Sequence, residues 1–462
     1  MVGIIRRSLR DSAAARWSAL FIVSFTMMCG YFLSDVMSPL AGLLESQLGW
    51  TRTDYGTYTG SYGMFNVFLL MLIFGGIILD KLGIRITGFG STVFMVVGTA
   101  IKYWAISTLE LADQTILGFN GQLFWACIGF AVFAVGVEVA GITVSKIIVK
   151  WFKGKELATA MGMQVAMARI GTAIALGFSV PIARATGVID VSRPLLVALI
   201  ALCIGLIVFI VYIVMDVKLD KSEAADELEE LDPEEEFKIS DIGRILNNKA
   251  WWYIAILCVL FYSAVFPFLK YATDLMVNKF GVDQNIAGMI PMLLPFGNIL
   301  LTPLFGGIYD KKGKGATIMI IGSILLIVVH GLFSIPGMNS WITAMILVVL
   351  LGVAFSLVPS AMWPSVTKII PEKRLGTAYS LIFWVQNWGL MGVPILIGWV
   401  LEKYCVTGQT IRDGITVNTY DYTLPMLIFT VFGVLALIFA FLLRREDKKK
   451  GYGLEEPNIV AS

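Results

Sequence analysis

Stretches of this chain that run for more than twenty residues without one Asp, Glu, Lys or Arg include Tyr55–Leu79, Pro194–Met215, Gln284–Tyr309, Leu375–Leu401 and Tyr422–Leu443. A helix rises about 1.5 Å per residue, so each stretch is long enough to cross ~30 Å of hydrocarbon. Across the 462 residues, 57% are hydrophobic and only 15% are charged, where a soluble domain carries roughly 25% charge. So few ionisable groups cannot cover a water-facing surface. The expected fold class is an all-α polytopic membrane protein.

The same counts exclude other classes. Net charge is +2 and the basic residues sit between apolar blocks, so there is no basic patch for nucleic acid. The cysteines Cys29, Cys127, Cys203, Cys258 and Cys405 form no C-x-x-C pair, and His330 is the only histidine. Neither a metal site nor histidine-based catalysis is expected, and no cofactor or enzymatic activity. No short apolar core precedes a small-residue cleavage site; Arg16 leads straight into a span-length segment. The chain is expected to keep its N-terminus.

Twelve spans are expected, near 17–40, 55–79, 86–109, 118–146, 157–182, 194–215, 251–273, 286–308, 316–335, 341–367, 375–401 and 422–443. Of the 35 Lys and Arg residues, 26 fall in alternate loops counted from the N-terminus. The opposite loops hold only Arg52, Arg184, Arg193, Lys279, Lys403 and Arg412, and Lys102, Arg169 and Lys270 lie inside spans. The excess of positive charge places both termini in the cytoplasm. A polar segment with an acidic run, Glu223–Glu236, reads as a solvated linker. The expected organisation is a six-span bundle (1–215), an acidic linker (216–250), a second six-span bundle (251–444) and a tail (445–462).

The two bundles repeat. Gly76, Asp80, Lys81 and Gly83 recur as Gly306, Asp310, Lys311 and Gly313 at a constant offset of 230, each after the second span of its half. Ser145-Lys146-Ile147-Ile148 likewise echoes Thr367-Lys368-Ile369-Ile370. Repeated halves of this kind organise many secondary transporters, with the substrate site between them at mid-membrane depth. The pattern G-x-x-x-D-[RK]-x-G-x-[RK], carried by Gly76, Asp80, Lys81, Gly83 and Arg85, resembles the signature of the major facilitator superfamily. In its second copy Gly315 stands where the last basic residue belongs. The resemblance implies the major facilitator fold of twelve helices in two pseudo-symmetric bundles. It also implies that Asp80, Lys81, Arg85, Asp310 and Lys311 gate the cytoplasmic side, Asp80 against span eleven and Asp310 against span five.

A narrower resemblance lies in Trp151-Phe152-Lys153-Gly154-Lys155-Glu156-Leu157, Met167-Ala168-Arg169-Ile170-Gly171, Val265-Phe266-Pro267-Phe268, Trp363-Pro364-Ser365 and Gln386-Asn387. These segments are similar to the lysosomal dipeptide uniporters of the superfamily and their bacterial relatives. In that family a glutamate of span four and an arginine of span five meet the two ends of the substrate; the matching positions are Glu138 and Arg169. Unlike the lysosomal members, this chain contains no N-x-[ST] sequon and no acidic dileucine signal. The expected home is therefore a bacterial inner (cell) membrane rather than a lysosomal one, with no partner subunit and a monomeric protein.

Ionisable residues inside spans are costly and mark function by default. Glu138 lies 15 residues before Lys153 and Arg169 lies 16 after it. Antiparallel spans four and five therefore bring the two to similar depth. A zwitterion suits them, its ammonium on Glu138 and its carboxylate bidentate on Arg169. Asp35 either assists the ammonium or pairs with Lys102. Lys270 is expected to snorkel to the interface, and His330 to be a satisfied hydrogen-bonder between helices. Tyr262, Trp363, Trp384 and Asn387 are expected to line the pocket. The functional expectation is a dipeptide or similar zwitterion as substrate, carried by alternating access as uniport within a lipid bilayer. The alternative is an organic anion or monocarboxylate porter, with or without proton coupling.

Overall fold

The computed structural model describes residues 9–152, 155–223, 239–371 and 374–458. The acidic run 224–236 lies outside them. Eleven helices among the described residues are long and apolar enough to cross a membrane; the twelfth pass, span two, is broken, and its second part runs on into the helix of span three. Span one is jointed as well. Span one runs as Ala13–Asp35, a short 3-10 turn at Ser38–Leu40, and Ala41–Leu48. Span two begins at Arg52–Phe68, breaks at Leu69 and Leu70 (φ 53°), and continues into Met71–Ser107. That long helix turns sharply at Gly83 (φ 74°, ψ 174°), which separates the end of span two from span three. Glycine tolerates this left-handed backbone where other residues resist it.

The remaining passes are Gly121–Phe152, Leu157–Ala183, Arg193–Glu223, Lys249–Phe280, Leu293–Lys312, Gly315–Phe333, Trp341–Ile369, Leu375–Tyr404 and Thr423–Lys450. Strands β1 (Thr115–Ile116) and β2 (Phe119–Asn120) form a small hairpin between spans three and four. A longer antiparallel hairpin, β3 (Val406–Arg412) with β4 (Ile415–Tyr420), joins spans eleven and twelve. It marks one side of the protein, here the hairpin side; the first and last described residues, Leu9 and Asn458, lie on the other.

The halves meet closely on the hairpin side. A Cβ on Gly60 of span two would lie 2.4 Å from the Met391 carbonyl oxygen of span eleven, and one on Gly288 would lie 2.0 Å from the Leu176 carbonyl oxygen of span five. Only glycine lets the backbones come so near, the device by which membrane helices pack without a hydrophobic force between them. Toward the chain ends the same helices diverge.

Candidate functional site

A fully buried arginine closes the hairpin side. Arg52 caps the approach to span two, and its guanidinium forks onto Asp274 of span seven, Nη2 to Oδ1 at 3.0 Å and Nε to Oδ2 at 3.2 Å. Its Nη1 lies 2.9 Å from Glu45, and the Tyr422 hydroxyl donates to the same Asp274 carboxylate. The β3–β4 hairpin adds a second tie, Asp413 at its tip pairing with Arg184 of the other half at 2.6 Å. Counting Arg52 as an outside loop charge misses this. Its partner lies 222 residues away, and no local pattern announces the pairing.

Below the seal, side chains of both halves enclose a cavity of about 420 Å³. Glu138 and Arg169 both face it, as do Asp35, Tyr262 and Trp363. Glu138 accepts a hydrogen bond from the Tyr62 hydroxyl at 2.7 Å. Arg169 stands among three aromatic rings, its Cζ 5.5 Å from the Tyr31 centroid and 5.4 Å from those of Phe266 and Phe355. Ring faces favour a cation but do not neutralise it. Among the described residues neither Glu138 nor Arg169 forms an ion pair, with the other or with any third group. Two opposite charges therefore face one cavity with their charge uncompensated. Trp363 Nε1 donates to the Tyr262 hydroxyl at 3.1 Å, and Trp363 stacks on Phe383 at 4.9 Å. Together they form an apolar wall with a polar edge.

Several expectations need correction. Asp35 pairs with Lys270, not Lys102: the Lys270 ammonium lies 2.5 Å from Oδ1 and also donates to the Ser34 carbonyl at 2.7 Å. Lys270 thus points into the cavity rather than snorkelling, because span one ends its first helix at Asp35 and presents carboxylate and carbonyl together. Lys102 is fully buried, its Nζ over the Phe130 and Tyr58 rings at 4.3 and 5.1 Å, with no hydrogen-bond partner among the described residues. The His330 ring packs against Phe268 and Phe429. Trp384 and Asn387 line neither cavity described here. Trp384 donates to the Val67 carbonyl at 3.1 Å, where the break in span two leaves helix-end carbonyls in need of a donor. Asn387 accepts from Asn66 at 3.4 Å. Both serve the contact between spans two and eleven.

The cavity opens toward the chain ends into a wider one of about 1080 Å³. Asp80 and Lys146 line one wall, 2.6 Å apart, while Gly376 and Thr377 at the start of span eleven line it too. Asp80 is therefore bound within its own half, not to span eleven. Asp310 binds Asn458, not span five. Arg85 belongs to neither cavity. It ties the base of span three to Asp216 at 2.6 Å and to Asp220 within the first half. Lys81 and Lys311 are exposed.

The sequence model of the Major Facilitator Superfamily matches residues 20–394 and again 273–458. This chain belongs to the Major Facilitator Superfamily. It is a multi-pass membrane protein of a transporter family. Over 405 residues it is 28% identical to the lysosomal dipeptide transporter MFSD1 of Homo sapiens, covering 84% of this chain and 81% of that protein. It is 24% identical over 321 residues to the probable nitrate transporter NarT of Staphylococcus haemolyticus, covering 68% and 70%. Among solved structures, a bacterial homologue of the human lysosomal transporter Spinster, inward-facing and unoccupied, superposes with a TM-score of 0.69. That match covers 95% of this chain and 98% of that one at 14% identity, a likeness of fold.

Proposed function

We propose that this transporter carries dipeptides or similar small zwitterions by alternating access, as a uniporter. The reading rests above all on Glu138 and Arg169, opposite charges left unpaired on the wall of one cavity between the halves. A ligand with an ammonium at one end and a carboxylate at the other compensates both, the planar guanidinium taking the carboxylate bidentately. Tyr262 and Trp363 give side chains an apolar wall. The relatives named dipeptide transporters support the same substrate class. No sodium or proton site is invoked, and the protein does no covalent chemistry on its cargo.

The positive-inside excess puts the chain ends in the cytoplasm, so the structure is read as inward-open. Asp80 then exchanges Lys146 for the N-terminal end of span eleven when the mouth closes, and Asp310 acts correspondingly toward span five. Lys81 and Lys311 flank these acids at the membrane surface, and Arg85 braces the first loop. The relatives' names are lysosomal, which weighs against the expected cell membrane; imaging a tagged chain in its source cells decides between the two.

Uptake into proteoliposomes tests the substrate. Arg169→Ala should reduce uptake of a free-carboxylate dipeptide by about a hundredfold or more, since a buried charged hydrogen-bonding partner is lost. Glu138→Gln should impair free-amine dipeptides far more than N-acetylated ones. Undiminished uptake in Arg169→Ala would sink the proposal. The name of the nitrate-transporter relative favours a second reading, an anion porter. Uptake of a monocarboxylate, but of no dipeptide, would select it.

A further inference from the structure

The two signature loops are satisfied by different means. In the first half Asp80 pairs directly with Lys146, and Arg85 reaches Asp216, a fully buried acid near the end of span six. In the second half Asp310 and Lys368 occupy the corresponding places and Asp447 is the buried acid near the end of span twelve. Arg85, however, is replaced by Gly315.

The chain that follows span twelve occupies the place of the missing side chain. The Leu454 N–H donates to Asp447 at 3.1 Å, and Leu454 is fully buried. The Glu455 carboxylate accepts from the Thr317 N–H at 2.9 Å, in the first turn of span nine. A Cβ on Gly315 would lie 2.8 Å from the Leu454 carbonyl oxygen, so an arginine there would displace this segment. Lys368 makes no ion pair with Asp310 among the described residues. Its ammonium donates instead to the Gly453 and Glu456 carbonyls at 2.9 and 2.8 Å. Asp310 takes the Asn458 side-chain amide at 2.7 Å, and its carbonyl takes the Asn458 N–H at 3.0 Å. The segment is wedged between the two groups whose counterparts pair directly in the first half.

We propose that Leu454–Asn458 is an intramolecular occupant of the second signature loop, holding Asp310 while the cavity is open toward the chain ends and releasing it when that mouth shuts. The proposal rests on the gate reading of Asp310 and is independent of the substrate. A ligand that binds one state only shifts the equilibrium toward it, and a tethered segment acts in the same way.

The test uses the full chain with its native cysteines replaced and Ser380→Cys added on the wall of the wider cavity. The readout is the rate of modification by a polar maleimide. Asn458→Ala removes an exposed contact and should leave the melting temperature unchanged while slowing modification about threefold or more, because the freed Asp310 favours the shut mouth. Asp310→Asn should speed modification, and Asn458→Ala added to it should change nothing further. An unchanged rate in Asn458→Ala alone, or slowing that persists in the Asp310→Asn background, overturns the proposal. An unchanged rate in Asp310→Asn alone instead removes the gate reading beneath it.

Discussion

The two ends of the central cavity are built on opposite principles. The hairpin side is shut by buried groups, a guanidinium forked onto a carboxylate and glycines against carbonyl oxygens, and by a partly exposed hairpin tie across the halves. On the side of the chain ends, Asp80, Arg85 and Asp310 are at hand, but each is bound within its own half. A buried charge pair costs several kcal/mol to leave half-made, whereas a surface pair is worth about 1 kcal/mol or less. The difference teaches that the conformation seen is set chiefly by the hairpin side, while Asp80 and Asp310 at the other mouth are engaged within their own halves.

That contrast can be broken at graded strength. Arg52→Ala leaves Asp274 and Glu45 without their cation and should cost the sealed state about 3–5 kcal/mol. An impermeant maleimide applied from the hairpin side should then modify Ser34→Cys in the cavity wall, which it should not reach in the parent. Protection equal to the parent's would mean that packing alone holds the seal. Gly60→Ala places a methyl against a carbonyl oxygen and should cost about 1–3 kcal/mol, giving slower modification by the same assay. A rate at the parent's level would show that spans two and eleven can move apart without opening the cavity. The smallest effect belongs to Asp413→Ala, which removes a partly exposed pair worth about 0–1 kcal/mol. Its expected change in modification rate is under about fivefold, and a change as large as that of Arg52→Ala would make the hairpin the principal latch.

The sequence revealed the parts of this architecture that bilayer physics dictates. Uncharged runs of span length, the positive-inside asymmetry and the repeat at a fixed offset follow from local composition, and the twelve passes followed from them. Glu138 and Arg169 were legible for a related reason. A charge inside a span is expensive, and helical rise brings the two to one depth. What was hidden depends on which groups meet across the halves. Asp35 was expected to assist the ammonium or to pair with Lys102, and only the packing of span one against span seven gives it Lys270 instead. Trp384 and Asn387 sit on an aromatic-rich helix whose sequence does not distinguish pocket-facing rings from packing ones; their contacts go to a break in span two that no glycine or proline announces. The tail's place in the second signature loop was foreshadowed only by Gly315, a position where the expected side chain is missing.

The joint at Leu69 and Leu70 has a consequence of its own. Above it, span two is welded to span eleven; below it, the segment beginning at Met71 borders the open cavity and carries Asp80. An unbroken rod would act as a seesaw, so that shutting one mouth would require prising the other open. A jointed rod lets the lower arm fold inward while the upper arm stays clamped. Such a joint would allow both mouths to be shut at the same instant, enclosing a cargo in a sealed chamber rather than an open tunnel.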